Sequence, residues 1–290
     1  MFLIRGLFII SIVFLNLRQD SSPFTNTELT SFYSSSREKT IDFIIYTPPG
    51  YEENNTRFPV LYFLHGRGGN HFLLWGSISQ SIPEANGDAG AWISELINNE
   101  IIPPMIIVTP DDTDGLWGQE NEIMITEELI NHIDTNWRTI PNRTGRAIEG
   151  FSMGGMGASR YASRHADLYC STIIMAAPHV EELLPDWEQN RREFFNPDLN
   201  IRLVVGNDDG QLEPMQILHE SLNTQIISHQ FDIIPGVGHN VGELYNHVGI
   251  EGLRFHADCF DNSDPILYNL YYLPSITRFC MPIRFRRLWH

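Results

Sequence analysis

The sequence predicts a single α/β domain in which a mostly parallel β-sheet is covered by helices on both faces. From Thr40 onward, short apolar runs alternate with amphipathic stretches. The 290 residues, 42% of them hydrophobic, suffice to bury one large core. A third observation is local: a short β-like run reaches a glycine-rich turn at Ser152 and continues as a helix. Together these features favour one large domain over two small ones.

Seven apolar runs are predicted as strands, because each is short, β-rich and closed by Pro, Gly or Asp. In chain order they are IDFIIYTPPGY, FPVLYFLHG, MIIVTPDD, RAIEG, STIIMAAP, IRLVVGNDD and IISHQFDIIPG. Helices are predicted where apolar residues recur at helical spacing. These stretches are AWISELINNE, NEIMITEELINHIDTNWRT, the segment after Ser152, GQLEPMQILHESLN and a final helix that contains His247 and His256.

The two ends of the chain depart from this alternation. Residues 1–20 combine a short basic start with an apolar run, which predicts a signal peptide and a secreted or periplasmic protein. Since no small-x-small cleavage site is clear, an uncleaved membrane anchor is the alternative. Residues 21–39 are predicted as a linker, residues 40–260 as the α/β domain, and residues 261–290 as a poorly ordered tail. Residues 1–39 are therefore expected to be dispensable for folding.

The charge composition narrows the possible partners and chemistries. The sequence has 19 basic and 36 acidic residues, which gives a formal net charge of −17. Such a charge argues against nucleic acids and anionic membranes as partners, because both would repel the protein. No stable membrane association is expected after signal cleavage. Lys39 is the only lysine, which disfavours Schiff-base catalysis and lysine-dependent phosphate loops.

Three cysteines are too few for a disulfide framework or a cysteine metal site. In an exported protein, Cys259 and Cys280 can pair and leave Cys170 as a buried thiol. The sequence alone leaves the connectivity open.

The stretch GFSMGG has the pattern of a nucleophile elbow. Gly150, Ser152 and Gly154 lie between a β-like run and a helix, and the small neighbours permit the strained turn that lifts a serine hydroxyl above a sheet. An ordinary turn is the alternative for the motif in isolation. The following helix directs its N-terminus at the same point, which favours negative charge there.

A serine hydroxyl becomes a good nucleophile only when a base accepts its proton. Among eleven histidines, His239 follows the last predicted strand in a glycine loop and is the best candidate. The acid that orients such a base is expected at the end of IRLVVGNDD, where Asp208 and Asp209 are both possible. Backbone donors for an oxyanion are expected from Met153, after the nucleophile, and from Arg67, after Gly66.

Taken together, these stretches resemble the esterase D-like "putative esterase" family of α/β-hydrolases. That group includes feruloyl and acetyl-xylan esterases, S-formylglutathione hydrolases and mycolyltransferases. The resemblance runs over residues 40–257 and rests on YTPPGY, FPVLYFLHGRGG, ITEELINHIDTNWRT, GRAIEGFSMGGMGASRYASRHADLY and GVGHN. It implies a serine ester hydrolase of the α/β-hydrolase fold that needs no cofactor and no metal.

The same resemblance assigns roles to particular residues. Ser152 becomes the nucleophile, His239 the base and Asp209 the acid, and Arg67 and Met153 supply the oxyanion hole. Asp208 is left to cap the turn.

The family pattern usually has a small or neutral residue where this chain has Glu149. Strand alternation predicts that the Glu149 side chain is buried and either hydrogen-bonded or raised in pKa. A solvated position at the sheet edge is the alternative.

The substrate is expected to be a small-molecule or polysaccharide ester. The segment 177–200, where this fold commonly carries a lid, is short, so no large lid is expected, and an open cleft suits acetyl or feruloyl groups on carbohydrate. Trp75, Trp117 and Trp187 are candidates to line that cleft, with core packing as the alternative. An acyltransferase, a thioesterase like S-formylglutathione hydrolase, and a binding protein on an inactive hydrolase scaffold are the other readings.

Overall fold

The computed structural model describes residues 22–112, 116–190 and 199–260. An eight-stranded sheet runs in the order β1-β2-β4-β3-β5-β6-β7-β8. Its strands are β1 (Thr27–Ser34), β2 (Lys39–Tyr46), β3 (Val60–Leu64), β4 (Ile106–Pro110), β5 (Arg146–Phe151), β6 (Ser171–Met175), β7 (Asn200–Gly206) and β8 (Gln230–Ile234). β1 and β2 pair antiparallel, β2 pairs antiparallel with β4, and all other pairs are parallel. The predicted mostly parallel sheet is confirmed.

Seven α-helices connect the strands in the described parts of the chain. They are α1 (Leu73–Ser81), α2 (Ala89–Asn98), α3 (Ile130–Asn136), α4 (Met153–Arg164), α5 (Leu184–Asn190), α6 (Leu212–Thr224) and α7 (Val241–Ala257). A π-helical turn, Met124–Leu129, leads directly into α3. No helix among these residues is long and apolar enough to cross a membrane.

Helices cover both faces of the central strands. A Cβ placed on Gly150 would lie 2.1 Å from the backbone oxygen of Gly154 in α4. The neighbouring Glu149 instead contacts Tyr245 and His256 of α7. Because successive strand residues point to opposite faces, α4 and α7 lie on opposite sides of the sheet. The central strands are therefore buried on both faces, which explains their continuous apolar runs.

The segment predicted as a linker contains a strand, so that prediction is wrong. TELTSFYS forms β1, which pairs with β2 over its full length. Most of its residues are only partly buried, because β1 is an edge strand, and such a strand carries a weak hydrophobic signal. The turn after β1 is held by Glu128 of the π-helical turn, which accepts hydrogen bonds from the Ser34 hydroxyl and the Ser36 amide.

The N-terminal residues before β1 also pack on the domain. The Asp88 carboxylate accepts hydrogen bonds from the Thr25 amide and hydroxyl while it caps α2. A Cβ placed on Gly90 would lie 2.0 Å from the Thr25 carbonyl oxygen. The described part of the N-terminal segment is thus an integral part of the fold. The signal peptide and the C-terminal tail, predicted at residues 1–20 and 261–290, lie outside the described residues.

A disulfide joins Cys170, just before β6, to Cys259, just after α7. The alternative in which Cys170 remains a buried thiol is therefore wrong. Spacing along the chain could not reveal this pair, since 89 residues separate its members. Cys280 lies outside the described residues.

Candidate active site

The backbone at Ser152 forms a strained turn between β5 and α4. Ser152 has φ 57° and ψ −121°, a combination that non-glycine residues rarely adopt. A Cβ on Gly154 would lie 1.9 Å from the Leu64 backbone oxygen, so the turn is closely packed against β3. The glycines beside Ser152 are therefore required by close backbone contact, and the strain presents the serine side chain at the C-terminal edge of the sheet.

His239 lies between the Ser152 hydroxyl and a buried carboxylate. Its Nε2 is 2.9 Å from Ser152 Oγ, and its Nδ1 is 2.8 Å from Asp209 Oδ2 and 3.0 Å from Oδ1. The Asp209 side chain is fully buried, whereas 40% of the His239 side chain is exposed. One side of the imidazole is therefore open to solvent, where a substrate would approach, and the other side contacts the Asp209 carboxylate.

Asp209 rather than Asp208 contacts the imidazole. Its backbone amide donates to Gly206, and its Oδ1 also accepts the Gln211 amide at 2.8 Å. Asp208 is exposed, and its backbone amide bonds to Val237. An aspartate that accepts from Nδ1–H leaves the Nε2 lone pair free to receive a proton, which is the tautomer required of a general base.

The loop after β3 lies directly against the serine. A Cβ on Gly66 would be 3.1 Å from Ser152 Cβ. The Gly66 carbonyl oxygen accepts the Gly69 amide at 3.0 Å and lies 2.8 Å from His65 Nδ1, so it points into its own loop. Because a trans peptide directs its C=O and the following N–H in opposite directions, the Arg67 amide points out of that loop. The Met153 amide belongs to the first turn of α4, where N–H groups have no partner within the helix.

A polar cluster supports this loop from behind. His65 Nε2 accepts the Asp112 amide at 3.1 Å, and the Asp112 carboxylate accepts Asn121 Nδ2 at 2.7 Å. Lys39 Nζ lies 3.6 Å from Asp112 Oδ1 and Arg37 lies 3.8 Å from it.

Asp111, next to Asp112 in the chain, also lies near His65: its Oδ1 is 3.4 Å from His65 Nε2, and its Oδ2 is 3.4 Å from His71 Nδ1. Partial burial tends to raise the pKa of Asp111, but contacts with His65 and His71 lower it well below its usual range. Asp111 is therefore ionised at neutral pH.

The structure places the three tryptophans in the core, so the prediction that they line a cleft is wrong. The side chains of Trp75, Trp117 and Trp187 are fully buried. Each indole N–H has an internal acceptor, as expected of a buried tryptophan: Thr109 Oγ1 at 3.0 Å for Trp75, the His65 carbonyl at 2.6 Å for Trp117, and Ser159 Oγ at 2.9 Å for Trp187. Trp117 nevertheless contacts the loop beside Ser152, because its indole N–H donates a hydrogen bond to the carbonyl of His65, the residue before Gly66.

The expectation of a buried, hydrogen-bonded Glu149 is confirmed. Glu149 is 1% exposed, accepts a hydrogen bond from the Tyr245 hydroxyl, and lies 3.2 Å from His256 Nε2. Sequence reasoning missed both partners. The available signal was the strand alternation that directs Glu149 toward the face covered by the last helix.

Known proteins resemble this chain in sequence and in fold. The model of a family described as putative esterase matches residues 34–247. An endo-1,4-beta-xylanase/feruloyl esterase from Xylanibacter ruminicola is 32% identical over 157 residues, which are 50% of this chain and 20% of that protein. Esterase Rv1288 from Mycobacterium tuberculosis is 29% identical over 145 residues, which are 46% of this chain and 28% of the relative. The matched part thus spans less than a third of either curated relative.

Solved structures share the fold at lower identity. A ferulic acid esterase superposes with a TM-score of 0.68 at 22% identity, covering 81% of this chain and 98% of that one. The ferulic acid esterase of Anaeromyces mucronatus gives 0.64 at 18% identity, covering 84% and 93%. These similarities confirm the predicted α/β-hydrolase fold. The family match, which covers more than half of the sequence, shows that the chain belongs to the putative esterase family.

Proposed function

We propose that the protein is a serine carboxylic ester hydrolase in which Ser152, His239 and Asp209 form the catalytic triad. One observation carries the proposal: a continuous set of contacts runs from the buried Asp209 carboxylate through His239 to the Ser152 hydroxyl. Each distance lies within the range of an ordinary hydrogen bond. The strained elbow and the adjacent glycine loop supply the other parts that acyl transfer requires.

The reaction follows from these positions. Ser152 Oγ attacks the ester carbonyl while His239 Nε2 accepts its proton, and Asp209 stabilises the resulting imidazolium. The oxyanion of the tetrahedral intermediate is held by the backbone amides of Arg67 and Met153. His239 then returns the proton to the leaving alcohol, which leaves an acyl group on Ser152. Water, deprotonated by His239, releases the acid by the same steps in reverse.

We assign the substrate to the class of short-chain or aromatic acyl esters of carbohydrate, of acetyl or feruloyl type, hydrolysed outside the cytoplasm. The curated relative named as a xylanase/feruloyl esterase supports this choice. So does a neighbouring feruloyl esterase module that was solved with sinapinate, an aromatic acid. Secretion through the N-terminal signal and the absence of a large lid belong to the same proposal; residues 191–198 of the lid segment lie outside the described residues.

The test is a panel of esters with two variants. Wild-type protein is assayed with nitrophenyl acetate, acetylated xylan and methyl ferulate, with a thioester and with a sugar acceptor as further arms. Ser152→Ala should abolish turnover and labelling by a fluorophosphonate. Ser163→Ala is the matched control, since Ser163 lies on the same helix and its hydroxyl donates to the Arg160 carbonyl within that helix. A wild-type protein that is neither labelled nor active would favour a binding protein on a hydrolase scaffold. Thioester cleavage or acyl transfer to the sugar that is faster than hydrolysis of the carboxylic esters would reassign the reaction.

A further inference from the structure

Glu149 lies on the strand that carries the nucleophile but faces away from it. It is three residues before Ser152 on β5, and its side chain is directed to the face covered by α7. A carboxyl group buried to this degree is costly unless its oxygens have partners. Both oxygens have one, and both partners belong to α7.

Tyr245 provides one of the two contacts. It lies six residues after His239, in the second turn of α7, and donates its hydroxyl proton to Glu149 Oε1. Burial first, and then the neighbouring Glu149, raise the pKa of Tyr245 well above its usual value. The hydroxyl is therefore protonated, and able to donate, at neutral pH.

His256 makes the second contact nearer the end of the helix. It is fully buried, with Nε2 3.2 Å from Glu149 Oε2 and Nδ1 2.7 Å from Ser171 Oγ of β6. One strand residue thus contacts α7 at two points separated by three helical turns. Together with the disulfide that follows the helix, the two contacts restrain the position of α7 along the sheet.

Apolar side chains surround these polar contacts. A small cavity between α7 and the sheet is lined by Glu149, Tyr245, Arg202, Gly249 and Gly252 together with the apolar side chains of Ile173, Met175, Val204 and Val248. A Cβ placed on Gly252 would lie 3.4 Å from Ile173 Cδ1, so this glycine lets α7 approach β6 closely. Because the surroundings are apolar, the oxygens of Glu149 depend on their two partners in α7.

The position of α7 determines the position of the base. His239 is followed at once by Asn240, whose side chain caps α7 through the Glu243 amide at 3.1 Å. A shift of the helix therefore moves the imidazole, whose Nε2 must stay near 2.9 Å from Ser152 Oγ. A misplacement of about 1 Å in such a pair costs on the order of 100-fold in rate.

We propose that Glu149 and Tyr245 are positioning residues that couple the nucleophile strand to the helix of the base and so set the distance between Ser152 and His239. The inference rests on the proposed function for its kinetic consequences. Both residues are buried on the face of the sheet that α7 covers. Their contact links β5, which ends just before Ser152, to α7, which begins two residues after His239; at the active site Phe151 of β5 also lies against the His239 ring, with 4.6 Å between the ring centroids.

The kinetic test compares Tyr245→Phe with Tyr46→Phe. Tyr46 is a suitable control because it is also buried, and its hydroxyl lies 3.0 Å from Ser94 Oγ in α2. Both variants should lose similar thermal stability. Tyr245→Phe should also lower kcat by about 10-fold with KM nearly unchanged, since ground-state binding is retained. Equal kcat in the two variants would reduce Tyr245 to a structural role and overturn the proposal.

Two substitutions at Glu149 test whether a conservative replacement that keeps a hydrogen-bond acceptor also keeps kcat. Glu149→Gln keeps an oxygen that accepts the Tyr245 proton and should retain most of kcat, whereas Glu149→Leu should match or exceed the loss in Tyr245→Phe. The same low kcat for Gln and Leu would contradict a role that depends on this hydrogen bond.

A structural measurement separates the inference from the proposed function. Crystal structures of wild type and Tyr245→Phe give the distance between His239 Nε2 and Ser152 Oγ whether or not any ester is cleaved. The inference expects a longer distance in the variant. An unchanged distance overturns it, while an inactive wild type with the expected lengthening would overturn only the proposed esterase activity.

Discussion

The disulfide between Cys170 and Cys259 makes a quantitative prediction about stability. It connects the residue before β6 to the end of α7, and its removal is best made as the double substitution Cys170→Ala/Cys259→Ala. Cys170 is buried, so alanine there also leaves a small packing defect. The covalent link is expected to dominate, because it restrains a long segment of the unfolded chain.

The expected magnitude follows from the length of that segment. For a separation of 89 residues, the chain-entropy relation gives a loss of about 4.6 kcal/mol at 25 °C. In a domain of this size, such a loss corresponds to a fall in Tm of roughly 9–18 °C. Most of the effect arises in the unfolded state, so the native hydrogen bonds of His256 and Ser171 should persist in the variant.

Urea unfolding of oxidised wild type and the double variant measures this loss directly. Because the cross-link keeps the unfolded wild type more compact, the variant should show a lower midpoint and a somewhat larger m-value. Cys280→Ala serves as the control and should leave the midpoint unchanged. A double variant within about 1 kcal/mol of wild type would refute the reasoning, and a lowered midpoint in Cys280→Ala would place that cysteine in the native pair.

Three further outcomes can be measured with single substitutions. Asp209→Asn should lower kcat by about four orders of magnitude by favouring the wrong imidazole tautomer, whereas Asp208→Asn should leave it nearly unchanged; the reverse ranking on one activated ester would move the acid to Asp208. Gly154→Ala should prevent folding of the elbow, because its Cβ would lie 1.9 Å from the Leu64 oxygen, and a soluble, labelled variant would contradict that. Burial alone would raise the pKa of Glu128, but hydrogen bonds from the turn after β1 lower this pKa below its usual value. The ionised Glu128 therefore stabilises the fold at neutral pH, and this stabilisation is lost as the pH falls through the folded-state pKa. Glu128→Gln should flatten this acid limb in unfolding experiments, and an unaltered limb would assign the acid loss to other carboxyls.

The sequence predicted the central features of the fold and site because they depend on local patterns. The strand, turn and helix around Ser152 are contiguous, and the loops carrying His239 and Asp209 each follow a strand of the parallel sheet. Since the C-terminal ends of parallel strands meet at one edge, chain order placed these loops together, whereas the choice of Asp209 over Asp208 came from the family resemblance. Burial of Glu149 followed from the same alternation.

The features that the sequence did not reveal depend on contacts distant in the chain. Trp75, Trp117 and Trp187 look alike whether they face a cleft or the core, and only the three-dimensional partners of their indoles decide between them. β1 has polar residues on its exposed side and pairs on one edge only, so its pattern is weak. The disulfide and the contacts of Tyr245 join segments that no spacing rule connects.

The lone lysine has a practical consequence for attaching the protein to a surface. Lys39 begins β2, has about one third of its side chain exposed, and faces Asp112 behind the Gly66 loop. Amine-directed coupling finds no other side-chain amine, so molecules would be held through Lys39 or through the terminal α-amine and would adopt few orientations. Acylating reagents would remove the charge opposite Asp112, whereas reductive alkylation keeps it. Immobilisation chemistry is therefore expected to decide how much activity survives on the support.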